Sequence, residues 1–254
     1  MRHAHAVSDL RRETTDLTVP DAPAMRLLSV APSGAGPFPA VVVIHELFGV
    51  NPDIEGVLAD FASRGFVAVA PEIYHRGLEA GQWLERDDAG RKAGFDQLNA
   101  LTRTNVIADL QATLDHLAQR TDVAGAPSIA GFSMGGHIAY LAATALPFAK
   151  TVVLYAGWLA GTDIPLSRPE PTLDLTPGIT GELLMIVGGA DTLVGPEEAA
   201  TIDAALASSG VPHEVVVLPG VGHAFFWPET PAYDAAAVAE SWRRIEGFLG
   251  EALP

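Results

Sequence analysis

The segment Ile129-Ala130-Gly131-Phe132-Ser133-Met134-Gly135-Gly136 holds a serine in the pattern G-x-S-x-G, with apolar residues before and after it. A serine hydroxyl is a poor nucleophile near neutral pH. Chemistry at Ser133 therefore needs a base to take its proton and a third group to hold that base in the useful tautomer. Asp191, in the stretch GGADTLVG, and His223, in the stretch GVGHAFF, lie downstream in the order serine, acid, histidine. Each residue alone has a plainer reading: a glycine-rich turn with an incidental serine, a turn-forming aspartate, a solvated loop histidine. Their order behind a G-x-S-x-G motif points instead to Ser133 as nucleophile, His223 as general base and Asp191 as its orienting acid. The other histidines are less suitable. His116 and His137 fall inside helical patterns, His213 begins a strand, and His3 and His5 belong to the N-terminal stretch. His45 and His75 remain as possible neighbours of a site.

Such a group works only if the chain presents it on a rigid frame. The unbroken apolar run AVVVIH at 40–45 reads as a strand covered on both faces, followed by a helix with Asn51 as N-cap, Pro52 at its first position and Gly65 at its end. Strands follow at 66–70, 127–131, 151–156, 183–189 and 213–220. Between and after them lie a long helical pattern around Phe95–Leu117, a helix after Ser133, one opened by Pro196 and ended by Gly210, and a last one carrying Val238, Trp242, Ile245 and Phe248. Ahead of these, RETTDLTVP and MRLLSVAPS predict two short strands joined by a Pro-Asp turn, forming an antiparallel edge. Repeated strand and helix units imply an α/β fold with a mostly parallel central sheet and helices on both faces. Ligand sites in such sheets lie beyond the carboxyl ends of the strands. Ser133, Asp191 and His223 each follow a predicted strand, as that rule requires.

Acyl transfer also needs donors for the developing oxyanion. One is expected from the residue after the nucleophile, Met134, and one from the loop after an earlier strand, His45-Glu46-Leu47-Phe48-Gly49, where Leu47 is the choice. His45 with Glu46 is not a zinc site, because no histidine stands at the spacing of H-E-x-x-H and the pair ends a strand. No metal and no cofactor is expected, since no G-x-G-x-x-G follows the first strand either.

With 31 acidic against 15 basic residues the formal charge is −16, which disfavours nucleic acid and anionic membrane surfaces as partners. The absence of cysteine excludes disulfides and thiolate catalysis. No internal repeat or low-complexity tract divides the 254 residues, so one domain over 1–254 is expected. No apolar run matches a signal peptide or a membrane span, and a cytoplasmic location follows as the expectation.

Beyond residue 38 the chain resembles the dienelactone hydrolase family of α/β-hydrolases. The likeness rests on VVVIHELFGVNPDIEGVLADFASRGFVAVAPEIYHR, on GFSMGG, and on the spacing of the Asp191 and His223 loops. It implies the α/β-hydrolase fold and cleavage of an ester or lactone through an acyl-enzyme, with Glu46 as a buried carboxylate supporting the site. Two departures stand out. The best-known members carry cysteine where this chain has Ser133, so His223 must serve as a full general base. Members acting on anionic lactones bind the substrate carboxylate through arginine, one of them four places after the histidine, where Trp227 stands here. A pocket of Phe48, Tyr74, Trp158, Phe226 and Trp227, with Trp83 nearby and residues 159–177 as part of the rim, is expected to favour a small uncharged ester or lactone. Transfer of the acyl group to an acceptor other than water, cleavage of an amide, and ligand binding without turnover are the competing readings.

Overall fold

A computed structural model describes residues 10–250; His3 and His5 lie outside them. Eight strands form one sheet: β1 (Leu10–Leu17), β2 (Met25–Pro32), β3 (Ala40–Ile44), β4 (Val67–Pro71), β5 (Ser128–Phe132), β6 (Lys150–Leu154), β7 (Glu182–Gly188) and β8 (His213–Leu218). Their spatial order is β1-β2-β4-β3-β5-β6-β7-β8. Strands β3 to β8 run parallel, while β2 pairs antiparallel with both β1 and β4, giving the expected antiparallel edge.

Alternation along each strand divides the core between the two faces. On one face Val41 and Val43 of β3, Phe132 of β5, and Val152 and Leu154 of β6 pack against helix α1 (Pro52–Ser63), through Ile54, Leu58 and Phe61, and against α6 (Ala235–Leu249), through Trp242 and Ile245. On the other, Val42 and Ile44 meet α3 (Arg103–Gln119) and α4 (Met134–Ala143), and Val153 and Met185 meet α5 (Pro196–Ser208). Asn51 caps α1 as expected, its side chain accepting from the Ile54 amide at 3.1 Å.

One expectation is corrected. The single helical pattern around Phe95–Leu117 is two helices, α2 (Asp88–Ala100) and α3, separated at Leu101, whose backbone is extended. Thr102 accounts for the break: its hydroxyl accepts from the Asn105 amide at 3.2 Å and starts a new helix. Apolar spacing runs on through Leu98, Leu101 and Val106, all of which stay buried, so the pattern hides the interruption. No helix among the described residues is long and apolar enough to cross a membrane.

Candidate active site

The turn from β5 into α4 is tight enough that Ser133 adopts φ 53° and ψ −114°, a conformation that costs a residue with a Cβ about 1–3 kcal/mol. Neighbouring glycines make the turn possible. A Cβ at Gly131 would overlap the Gly135 carbonyl, and one at Gly135 would overlap the carbonyl oxygens of Ile44 and His45. The sharp turn is tied down at both ends: the Ser133 amide donates to the Leu154 carbonyl at 2.9 Å, and the His137 amide donates to the Ser133 carbonyl at 3.1 Å.

Ser133, His223 and Asp191 form one hydrogen-bonded chain. Ser133 Oγ lies 2.9 Å from His223 Nε2, and His223 Nδ1 lies 2.8 Å from Asp191 Oδ2. A carboxylate only accepts, so Nδ1 carries the proton and the Nε2 lone pair faces the serine hydroxyl. Asp191 is buried, and its other oxygen accepts from the amides of Leu193 (2.8 Å) and Val194 (3.0 Å), which fixes the carboxylate against the ring. Tyr155, with φ 39°, sets its ring edge-on to His223 at 5.1 Å. Its fully buried hydroxyl has no hydrogen-bond partner among the described residues, and burial raises its pKa well above the ordinary phenol value.

Leu47 and Met134 are joined by a residue behind them. The Tyr74 hydroxyl donates to the Leu47 carbonyl at 3.2 Å and lies 3.0 Å from Met134 Sδ. Tyr74, expected among the pocket residues, is buried instead, and its contacts make it a brace between the two loops. Burial takes its pKa far above the ordinary phenol value.

Glu46 is buried with its charge answered. Arg86 pairs with Oε1 through Nε at 3.0 Å and through a second nitrogen, and Trp227 Nε1 donates to Oε2 at 3.0 Å. Arg86 also pairs with Asp53, and its guanidinium sits 5.1 Å from the Trp227 ring centroid and 5.6 Å from that of Phe48. Burial pushes the Glu46 carboxyl up, against the opposing pull of Arg86 and the indole.

Arg86 is the site neighbour that sequence reasoning missed. It sits far from any motif, and the only signal was indirect: a buried glutamate calls for a cation.

The expected apolar wall after His223 is also corrected. Phe225, Phe226 and Trp227 turn inward, and Trp227 is 1% exposed. Phe226 and Trp227 pack on Phe132, directly beneath the serine, at centroid distances of 5.1 and 5.0 Å. Large aromatic surface with a sheet face to cover is held in the core, not in the pocket. Of the remaining expected pocket residues, Phe48 and Trp158 keep partial exposure.

The two histidines left open divide. His45 is buried beside the Leu47 loop, its Nδ1 2.6 Å from the Glu46 carbonyl, and desolvation lowers its pKa to about 4. His75 belongs elsewhere, in a buried cluster with Arg76 and Asp109 of α3. Residues 159–177 form two short 3-10 turns, Pro165–Ser167 and Thr172–Gly178, anchored through Thr172 to His137 (2.9 Å) and through Thr176 to Tyr140 (2.6 Å).

Comparison with known proteins agrees with this architecture. The family model of the dienelactone hydrolase family matches residues 25–253. A Synechocystis protein provisionally named carboxymethylenebutenolidase is 33% identical over 248 residues, covering 92% of this chain and 95% of its own. The carboxymethylenebutenolidase of Rhodococcus opacus is 29% identical over 223 residues, covering 86% of this chain and 83% of its own. A solved structure from Klebsiella pneumoniae, provisionally named a dienelactone hydrolase, superposes with a TM-score of 0.84 at 25% identity, covering 95% of this chain and 98% of its own. The chain is a hydrolase with the α/β-hydrolase fold, and it belongs to the dienelactone hydrolase family.

Proposed function

We propose that the protein, acting as one domain, cleaves a small uncharged carboxylic ester or lactone through an acyl-enzyme on Ser133. The observation that carries this is the relay of 2.9 and 2.8 Å from Ser133 through His223 to Asp191, with the tautomer set for proton abstraction. Ser133 Oγ attacks the carbonyl carbon as His223 Nε2 takes its proton. The amides of Leu47 and Met134 receive the oxyanion. As the tetrahedral adduct collapses, His223 returns the proton to the leaving alkoxide, which in a lactone stays tethered to the acyl group. Water then adds to the acyl-enzyme with His223 again as base, releasing the acid and restoring the serine. Glu46 takes no proton in this scheme; it and Arg86 support the Leu47 loop.

The preference for an uncharged substrate has three supports. Arg86 is already paired with two carboxylates, Glu46 and Asp53. Trp227 holds the place, four after His223, where the resemblance expects an arginine. The net charge of −16 disfavours the approach of anions. A cytoplasmic location is part of this proposal. Initial rates on a short 4-nitrophenyl ester test it: Ser133→Ala lowers kcat by about four to six orders of magnitude with an unchanged circular dichroism spectrum. Retention of more than about a tenth of the rate would overturn the assignment.

A further inference from the structure

Large apolar side chains are costly to leave in water, so the places where they stay exposed are informative. Phe95 and Leu193 are 39% and 55% exposed; the Phe95 ring faces Trp158, and Leu193 lines the same recess as Trp158. Leu193 hangs from the loop that orients His223, its amide donating to Asp191 Oδ1 at 2.8 Å. The chain at Gly157 runs against the same loop, a Cβ there falling 3.8 Å from Val194 Cγ2.

Trp158 comes next, at φ 62°, a left-handed conformation costly for so bulky a residue. Two hydrogen bonds hold it there: His137 Nδ1 to the Gly157 carbonyl (2.8 Å) and Ser167 Oγ to the Trp158 carbonyl (2.6 Å). Across from it the Phe95 ring stands edge to face, 6.4 Å away. Beside Phe95, helix α2 packs on the oxyanion loop so closely that a Cβ at Gly94 would come within 2.6 Å of Leu47 Cγ. Leu193 thus lies by Trp158, Trp158 by Phe95, and Phe95 next in the chain to Gly94, which packs on Leu47, so this apolar arc runs from the Asp191 loop to the Leu47 loop.

The geometry points to this arc as the seat for an extended, uncharged apolar substituent of the substrate, an aryl or medium-chain alkyl group, on either side of the ester carbonyl. The assignment rests on the ester-hydrolase reading above and extends its uncharged substrate from a small ester to one carrying such a substituent. Trp158 and Leu193 also line a wide, open recess of about 370 Å³ on the surface. Asp163, Glu197 and Glu198 line the same recess and would repel a chain ending in a carboxylate. Phe95 and Leu193 are then specificity-determining residues.

The test is kcat/KM for 4-nitrophenyl acetate, butyrate and octanoate, and for ethyl, butyl and octyl acetate, with wild type, Phe95→Ala, Leu193→Ser and a control, Tyr233→Ala, an exposed aromatic residue outside the arc. In at least one series, wild-type kcat/KM rises with chain length. In that series the octyl-to-acetate or octyl-to-ethyl ratio falls about tenfold in Phe95→Ala and Leu193→Ser, mainly through KM, and is unmoved in Tyr233→Ala. If short esters are turned over but the ratio is unchanged in both series, the arc is not the seat and the ester-hydrolase reading stands. If wild type turns over no ester at all, that reading has failed and the proposal falls with it.

Discussion

His223 makes two hydrogen bonds whose roles the partners dictate. Asp191 can only accept, so it holds the Nδ1 proton and leaves Nε2 free to take the proton of Ser133. The carboxylate in turn is immobilised by two backbone amides. On the proposed mechanism the three side chains act as one unit, so losing either the serine or the histidine removes nearly all that the unit supplies. Steady-state kinetics of Ser133→Ala, His223→Ala and the double variant should show three similar rates, within about tenfold of one another. Multiplicative losses in the double variant would mean that the two residues act independently. At this scale the sequence was most informative. Glycines two places either side of Ser133, together with strand-end positions for Asp191 and His223, carry local signals that survive without tertiary knowledge. Arg86 carries none, since its partners Glu46 and Asp53 reach it only through the folded chain.

Elements set the geometry that these side chains use. The carboxyl end of β3 delivers Leu47, the turn after β5 delivers Met134, and Tyr74, from the connection after β4, touches both. Tyr74→Phe keeps the ring and removes the brace. The predicted outcome is a fall in kcat of about tenfold with a smaller change in KM, since loosening the oxyanion site proposed at Leu47 and Met134 weakens the transition state more than the ground state. A change confined to KM would place Tyr74 in ground-state binding instead. Strand positions were legible because parallel strands buried on both faces read as unbroken apolar runs, as in Val41–Ile44. Two features at this scale were not. The break between α2 and α3 lies inside a continuing apolar pattern, and the aromatic run Phe225–Trp227 looks the same in sequence whether it faces a pocket or a core.

The whole molecule adds a dependence on pH that is separate from catalysis. His45 and His137 are fully buried, and desolvation lowers each pKa from 6.5 to about 4. Between those values the unfolded chain binds protons at these histidines that the folded chain does not. The stability they contribute is complete above about pH 6.5 and is lost progressively as pH falls towards 4. Thermal melts from pH 7 to pH 4.5 should show Tm falling, and His137→Gln should have a shallower fall than wild type. An equal slope in the variant would mean that His137 does not remain neutral in the folded protein. The acid sensitivity arises where these histidines are needed: His137 anchors Gly157 and, through Thr172, the 159–177 segment beside the apolar arc.

The most direct test of the account is mass spectrometry of the intact protein and its peptides after incubation with a small fluorophosphonate, in wild type and in Ser133→Ala. A single phosphonyl adduct on the peptide containing Ser133, absent from the variant and formed in parallel with loss of esterase activity, is the predicted result. Ester turnover without that adduct, or an adduct at another residue that abolishes turnover, would contradict Ser133 as the nucleophile.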